Sequence, residues 1–233
     1  MVAGLVALAA LATTLPAAAA PLQAVAPPGA HYVRGGVTPP LGPWAVTWDD
    51  GRTVHETAFV AYADAGAVTL VHPAAVVERI GLHQSNHEGA RDQVLAASAA
   101  GGIVLGSRGR LSGLQSAADV VVAPGSEIRA PVTGTVVRAG TYELYCRFDD
   151  DYAVIAPDDE PAWEVKLLHI QGLAVQAGDR VVAGETVLAA AARPLPFRSQ
   201  VDDTTAEPSW PHVHVEVIDP SIPNVPNGGS GGC

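Results

Sequence analysis

Short apolar runs alternate with turns rich in Gly, Pro and Asp along most of the sequence. Strands of this length at this spacing predict an all-β fold, an antiparallel β sandwich or barrel-like domain. Helical periodicity is scarcely present. The predicted strands are Trp44 to Trp48, Val54 to Tyr62, Val68 to Val71, Val76 to Leu82, Ile103 to Leu105, Asp119 to Val122, Glu127 to Ala130, Gly134 to Ala139, Tyr152 to Ala156, Glu164 to His169, Arg180 to Val182, Thr186 to Ala190 and Pro211 to Ile218.

The last predicted strand separates polar from apolar side chains. In an extended chain His212, His214 and Glu216 point to one face, and the valines that alternate with them point to the other. Histidines two residues apart on a strand are separated by roughly 6.5–7 Å, which suits one for binding a metal while the other faces a substrate. The alternative is a polar face that merely meets water.

Composition limits the partners that this chain can have. With 233 residues, 48% of them hydrophobic, the chain can bury one sizeable core. The net charge of −11, with 13 Lys and Arg and no basic cluster, argues against nucleic acid or an anionic membrane surface as partner.

The ends of the chain differ in composition from its middle. Residues 1–20 form an Ala-rich apolar run, which predicts a secretory signal peptide or, alternatively, an N-terminal anchor. No other membrane contact is expected. Residues 21–43 are rich in Pro and Gly and predict a linker. We expect an N-terminal β extension over 44–100, packed on a main domain over 101–220, and a C-terminal tail over 221–233.

The sequence contains two cysteines, Cys146 and Cys233. In an exported protein an even count suggests a disulfide, which here would tie down the C-terminal tail. The alternative is a loose Gly-rich terminus with a free thiol.

A polar cluster runs from His83 to Asp92, between a predicted strand and an Ala-rich segment. The pair His83 and His87 could bind a metal if the segment were helical, but Asn86 and Gly89 favour a loop. Both histidines are therefore candidates for a groove that faces substrate, with a hydrogen-bonded structural turn as the alternative.

Four segments follow one another along the chain: Asp119-Val-Val-Val-Ala-Pro-Gly-Ser-Glu-Ile-Arg-Ala-Pro-Val-Thr-Gly-Thr-Val136, Lys166-Leu-Leu-His169, Val175-Gln-Ala-Gly-Asp-Arg-Val-Val-Ala-Gly-Glu-Thr-Val187 and Pro211-His-Val-His-Val-Glu216. In this order they resemble the lysostaphin/LytM-type peptidoglycan metallopeptidases, over roughly Ser107 to Asp219. The resemblance implies a compact antiparallel β domain with an open groove across a sheet and a zinc ion on the groove floor.

The family's zinc ligands are carried over with one departure. Asp119 and His214 match two of them, whereas Gln115 stands where the family has its first histidine. The two histidines that flank the attacking water in the family correspond to His169 and His212. Because a neutral amide is a poor substitute for imidazole, we expect zinc binding to be weak or absent. A histidine from the His83 to His87 loop could supply the missing nitrogen, and Gln115→His should raise zinc affinity.

A second departure lies between Ala189 and Ser209, a segment longer than the family's usual Gly-rich turn, which predicts an altered groove wall.

The resemblance, its two departures and the N-terminal apolar run favour an exported, cell-wall-associated monomer with a degenerate zinc site, which binds peptidoglycan or regulates a cell-wall hydrolase. One alternative is an active zinc endopeptidase that cuts peptidoglycan cross-bridges. Another is a secreted β module of unrelated role.

Overall fold

A computed structural model describes residues 44–48 and 50–224. The described residues form fifteen strands and one short 3-10 helix, Val201–Thr204. The strands are β1 (Trp44–Thr47), β2 (Thr53–Glu56), β3 (Ala61–Ala65), β4 (Val68–Val71), β5 (Val76–His83), β6 (Val94–Leu95), β7 (Gly102–Val104), β8 (Ala117–Val122), β9 (Ile128–Arg129), β10 (Gly134–Leu144), β11 (Phe148–Pro157), β12 (Glu164–Leu173), β13 (Arg180–Val181), β14 (Val187–Ala192) and β15 (His212–Ile218).

One large sheet organises the described residues. Its strands follow the order β1, β2, β5, β8, β15, β12, β11, β10, β13, and the neighbours along this path are antiparallel. Strand β7 joins β5 in parallel, β14 joins β12 and β9, and a small sheet holds β4, β3 and β6. The predicted all-β antiparallel fold is confirmed, and the large sheet is not closed into a barrel.

Strand β8 lies at the centre of this sheet and is buried along its whole length. Its valines at 120–122 are fully buried and pack into the hydrophobic clusters on the two faces of the sheet. A strand covered on both faces is usually a continuous apolar run, and in β8 the exception is Asp119, which is 3% exposed. Ionised groups are rarely buried without partners, so Asp119 is where a site is expected.

Most predicted strands are present, with ends shifted by a few residues. The Asp-Gly turn at Gly51 connects β1 and β2 as a hairpin, and β4 has the predicted bounds. The single strand predicted from Val54 to Tyr62 is wrong. Ala58 and Phe59 have φ angles of 47° and 54°, a left-handed conformation that a strand does not allow, so the chain turns between β2 and β3.

The large sheet contains strands from both sides of the domain boundary predicted near residue 100, which stays a prediction. Strand β5, from the N-terminal part, lies between β2 and β8 in the large sheet.

Cys233 and residues 1–43 lie outside the described residues, so the disulfide, the signal or anchor and the linker stay predictions. Within the described ranges no helix is long and apolar enough to cross a membrane.

A buried ion pair fixes the chain that leads into β15. Arg52 on the β1–β2 side and Glu78 on β5 are 1% and 4% exposed and contact each other. The Arg52 guanidinium also donates to the Pro208 carbonyl at 2.7 Å and lies over the Trp210 ring at 4.3 Å. Glu78 Oε1 accepts from the Ala206 amide at 2.7 Å. The β1–β2 connection and β5 thereby hold the chain directly before β15.

Replacing Glu78 by Gln should lower the free energy of unfolding by about 3 kcal/mol, because it leaves the buried Arg52 charge with only the surface carboxylate of Asp50. Urea unfolding measures this loss. The matched control is Asp158→Asn, which breaks an exposed pair with Arg180 and should leave stability nearly unchanged. Equal losses in the two variants would contradict this role for the buried pair.

Candidate metal centre

The register of three adjacent strands gathers the polar side chains around Asp119. His214 on β15 lies directly opposite Asp119 on one side, and Gly81 on β5 lies opposite it on the other. Directly paired residues point to the same face of a sheet, and so do residues two apart on one strand. His83, two residues beyond Gly81, therefore shares the face of Asp119 and His214.

These three residues form a compact donor set. His83 Nε2 lies 2.9 Å and His214 Nδ1 lies 3.0 Å from Asp119 Oδ1. One donor atom from each of the three residues lies within 4.8 Å of the others. Two imidazoles and one carboxylate are ligands that zinc takes in catalytic sites. The cluster could therefore hold a metal ion.

His83 has the environment of a metal ligand. Its Nδ1 lies 2.9 Å from the Gln84 carbonyl oxygen, which can only accept, so Nδ1 carries the proton. The Nε2 atom is buried and makes no hydrogen bond of normal geometry within the described residues, although a carboxylate oxygen lies 2.9 Å away. Either a proton on Nε2 or a bound metal ion would make this contact with the carboxylate favourable. Metal-binding histidines commonly donate their other N–H to a carbonyl in this way.

His214 is held between two carboxylates. Its Nε2 lies 3.6 Å from Glu216 Oε2, on the side away from Asp119. Burial alone would lower its pKa, but the bonds to Asp119 and Glu216 raise the pKa of His214 to about 9. Glu216 is itself buried, and the contact with Lys166 keeps the pKa of its carboxyl far below the usual value. Glu216 thus orients a donor and also lines the groove.

His212 completes the polar face of β15. Its Nε2 lies 3.9 Å from Asp119 Oδ1, and its ring is packed edge-on against His169 with centroids 5.3 Å apart. Burial lowers the pKa of His212 to about 4, although the charge of Asp119 opposes this shift. The imidazole of His212 is therefore neutral near pH 7.

His169 reaches the same face because of a β-bulge. Leu168 is paired with His214, so simple alternation would turn His169 to the opposite face. The register between β11 and β12 shifts between Asp151 and Ala153, and His169 has a φ angle of 62°. A bulge of this kind re-aims a side chain. As a result both Leu168 and His169 line the groove.

Asp150 holds His169 in this orientation. Its Oδ2 accepts from His169 Nδ1 at 2.7 Å, from the His169 amide at 3.1 Å and from the Tyr142 hydroxyl at 2.6 Å. Burial would raise the pKa of Asp150, but the hydrogen bond from His169 and the other contacts lower it. The carboxylate therefore fixes the proton of His169 on Nδ1 and leaves Nε2 for exchange in the groove.

Two other residues singled out from the sequence, Gln115 and His87, lie in the turn before β8 and in the loop after β5, and His87 is not part of the donor set. The Gln115 backbone bonds to Asp92 and Gln93 in the turn before β8, and the residue does not line the groove. His87 Nδ1 accepts from the Gly89 amide within its own loop at 3.0 Å. Among the described histidines and acidic residues, His83, the last residue of β5, is the one that joins Asp119 and His214 in a group that could hold a metal, and the role of Gln115 stays a prediction.

A groove of about 450 Å³ lies over these side chains. Asp119, His169, His212 and His214 lie along it, and the segment before β15 contributes residues 197–200 to its wall. Val201 of this segment packs over Gly81, where even a β-carbon would come within 2.9 Å of it. Leu195 and residues 197–200 of the predicted Ala189 to Ser209 wall line the groove, while the first residues of that segment belong to β14. That this wall is altered stays a prediction.

Comparisons with known proteins add little to this geometry. No protein-family model matches the sequence, and no curated protein matches it. A solved structure of a zinc-containing peptidase from Vibrio cholerae aligns with 76% of this chain and 43% of its own, at 18% identity and a TM-score of 0.36. The chain thus spans less than half of that protein. At this level of similarity, function has to be inferred from the site itself.

Sequence reasoning missed the residues that support the donors. Asp150 and Ser85, which contacts Glu216, belong to no quoted segment, and Lys166 opens one of them but was given no role. His83 was named only as one of two histidines that could supply a missing ligand. The signal for Asp150 was the run of three aspartates at 149–151.

The pKa of His214 predicts how stability changes with pH in zinc-free protein. A histidine with a folded pKa of about 9 and an ordinary value of 6.5 stabilises the fold fully below pH 6.5, and this contribution is lost as pH rises to 9. We expect a loss of roughly 1–3 kcal/mol between these pH values, measured by urea unfolding in EDTA. His214→Gln should abolish that part of the loss. A wild-type loss no larger than that of the variant would refute the shift.

Proposed function

We propose that this protein is a zinc-dependent peptidase that binds its metal through His83, Asp119 and His214. The observation that supports this most directly is His83, whose buried Nε2 faces the Asp119 carboxylate without a hydrogen bond of normal geometry. With this residue the site has three strong ligands, the number that catalytic zinc sites use. The expectation of weak zinc binding came from Gln115, which does not line the groove.

The side chains around the donors suit hydrolysis of a peptide bond. Zinc in a three-ligand site supplies a Lewis acid and a water activated near neutral pH. His169, fixed by Asp150, presents Nε2 to the groove and can accept or return a proton. His212 is neutral near pH 7 and stands beside it, where an N–H can stabilise the negative charge on the carbonyl oxygen.

We propose further that the substrate is the peptide part of peptidoglycan and that the protein acts outside the cytoplasm. The support is the sequence: the four ordered segments that resemble the lysostaphin/LytM-type enzymes, and the apolar run at residues 1–20. Under this proposal the protein cuts cross-bridge peptides and is not a non-catalytic regulator of another hydrolase.

Two alanine variants test the ligand set. His83→Ala should lower zinc affinity by about tenfold or more, because it removes one of three ligands. His87→Ala, a change of the same residue type four positions along, should leave zinc affinity unchanged. Zinc bound after dialysis, measured by mass spectrometry of the metal, gives the answer. Equal zinc retention by both variants would overturn the ligand assignment. A zinc-loaded wild-type protein that releases no amino termini from cell walls would overturn the proposed peptidase activity.

Asp150→Asn tests the orientation of His169. The variant loses the negative charge that keeps the proton on His169 Nδ1, so kcat for peptide hydrolysis should fall by about a factor of 100. Zinc content should not change, because Asp150 is not in the donor set. The matched control is Asp151→Asn, because the side chain of Asp151 contacts Thr141 and Arg193 but not His169. A kcat equal to that of the control would show that His169 needs no carboxylate.

A further inference from the structure

The groove over the donor set is rich in positive charge although the protein is acidic. The chain has a net charge of −11 and contains 13 Lys and Arg. Four of these line this one groove, together with the carboxylates of Asp119 and Glu216: Arg108, Arg110, Lys166 and Arg198. Clefts lined by one sign of charge attract ligands of the other sign.

Three of these four cations already have anionic partners. Lys166 pairs with Glu216, and the exposed Arg198 pairs with Asp203 and Glu207. Arg108 Nη2 lies 3.5 Å from Asp119 Oδ2, and its Nε donates to Gln200 at 2.6 Å. These contacts leave Arg110 as the one of the four cations that has no ion pair in the described part of the chain.

Arg110 is half-buried and makes no ion pair with any residue in the described ranges. Its Nη1 donates to the Gln84 carbonyl at 2.5 Å, which anchors the side chain beside His83. Burial and the neighbouring charge of Arg108 both disfavour the Arg110 cation and lower its pKa. A guanidinium has five N–H donors, so most of those on Arg110 remain for a ligand.

We propose that Arg110, with Arg108 beside it, binds a carboxylate of the peptide substrate next to the metal donors. This inference rests on the proposed peptidase function and adds the substrate class, a peptide with a carboxylate near the bond that is cut. A guanidinium recognises a planar carboxylate through two parallel hydrogen bonds, and an anion between the two arginines would relieve their repulsion. The carboxylate can be that of an acidic side chain or of the C-terminus.

Fluorescence anisotropy with dansylated pentapeptides tests the proposal on the full chain. One pair is C-amidated Gly-Gly-Glu-Gly-Gly and its Gln counterpart, and the other is pentaglycine with a free or an amidated C-terminus. We expect at least one carboxylate peptide to bind roughly tenfold more tightly than its neutral counterpart, with zinc added and with EDTA alike. The pair that shows the preference identifies the source of the carboxylate. Equal binding within both pairs would overturn the proposal.

Arginine variants assign the preference to the site. Arg110→Gln should abolish it, and Arg180→Gln, which removes an exposed arginine paired with Asp158, should retain it. If circular dichroism shows that Arg110→Gln is unfolded, Arg110→Lys takes its place, since it keeps the charge but loses the planar fork and should reduce the preference several-fold. A preference that persists unchanged in the folded Arg110 variant refutes the assignment.

The measurements separate this inference from the peptidase proposal. A carboxylate preference without any release of amino termini means that the peptidase proposal fails while the binding site stands. Peptide cleavage without a carboxylate preference means that only the binding site fails.

Discussion

A carboxylate buried in the central strand of a valine-rich sheet is the constraint on which this site depends. Asp119 is 3% exposed, and a buried negative charge is stable only with compensating partners. His83, His212, His214 and Arg108 all lie within 4 Å of its oxygens. The contacts with His83, His212 and His214 keep the pKa of Asp119 well below its usual value in spite of its burial. The convergence of these histidines on one face of the sheet compensates this one residue.

The groups around Asp119 are themselves fixed by neighbouring strands and loops. The Gln84 carbonyl orients His83, the Lys166–Glu216 pair orients His214, and Asp150 orients His169. Each supporting group comes from a different part of the chain, and each is tied to the sheet by hydrogen bonds or strand pairing. A site arranged in this way keeps its geometry because the sheet is rigid.

Sequence reasoning found what depends on local periodicity. The alternation in β15 placed His212, His214 and Glu216 on one face, and the strand pattern indicated the all-β fold. It did not select His83, because the pairing of β5 with β8 joins residues far apart in the sequence and local pattern does not specify a partner. Asp150 was missed for a related reason, since its role depends on a bulge that re-aims His169.

The three donors come from strands that are widely separated along the chain. An ion held by all three would close two large loops, much as a disulfide does, and would thereby restrict the unfolded chain as well as fill the site. Strand β5 would then be joined to β8 and β15 by coordination as well as by hydrogen bonds. The segment before residue 101 would in that case be a structural part of the centre, and a shorter chain confined to residues 101–220 would lack a ligand.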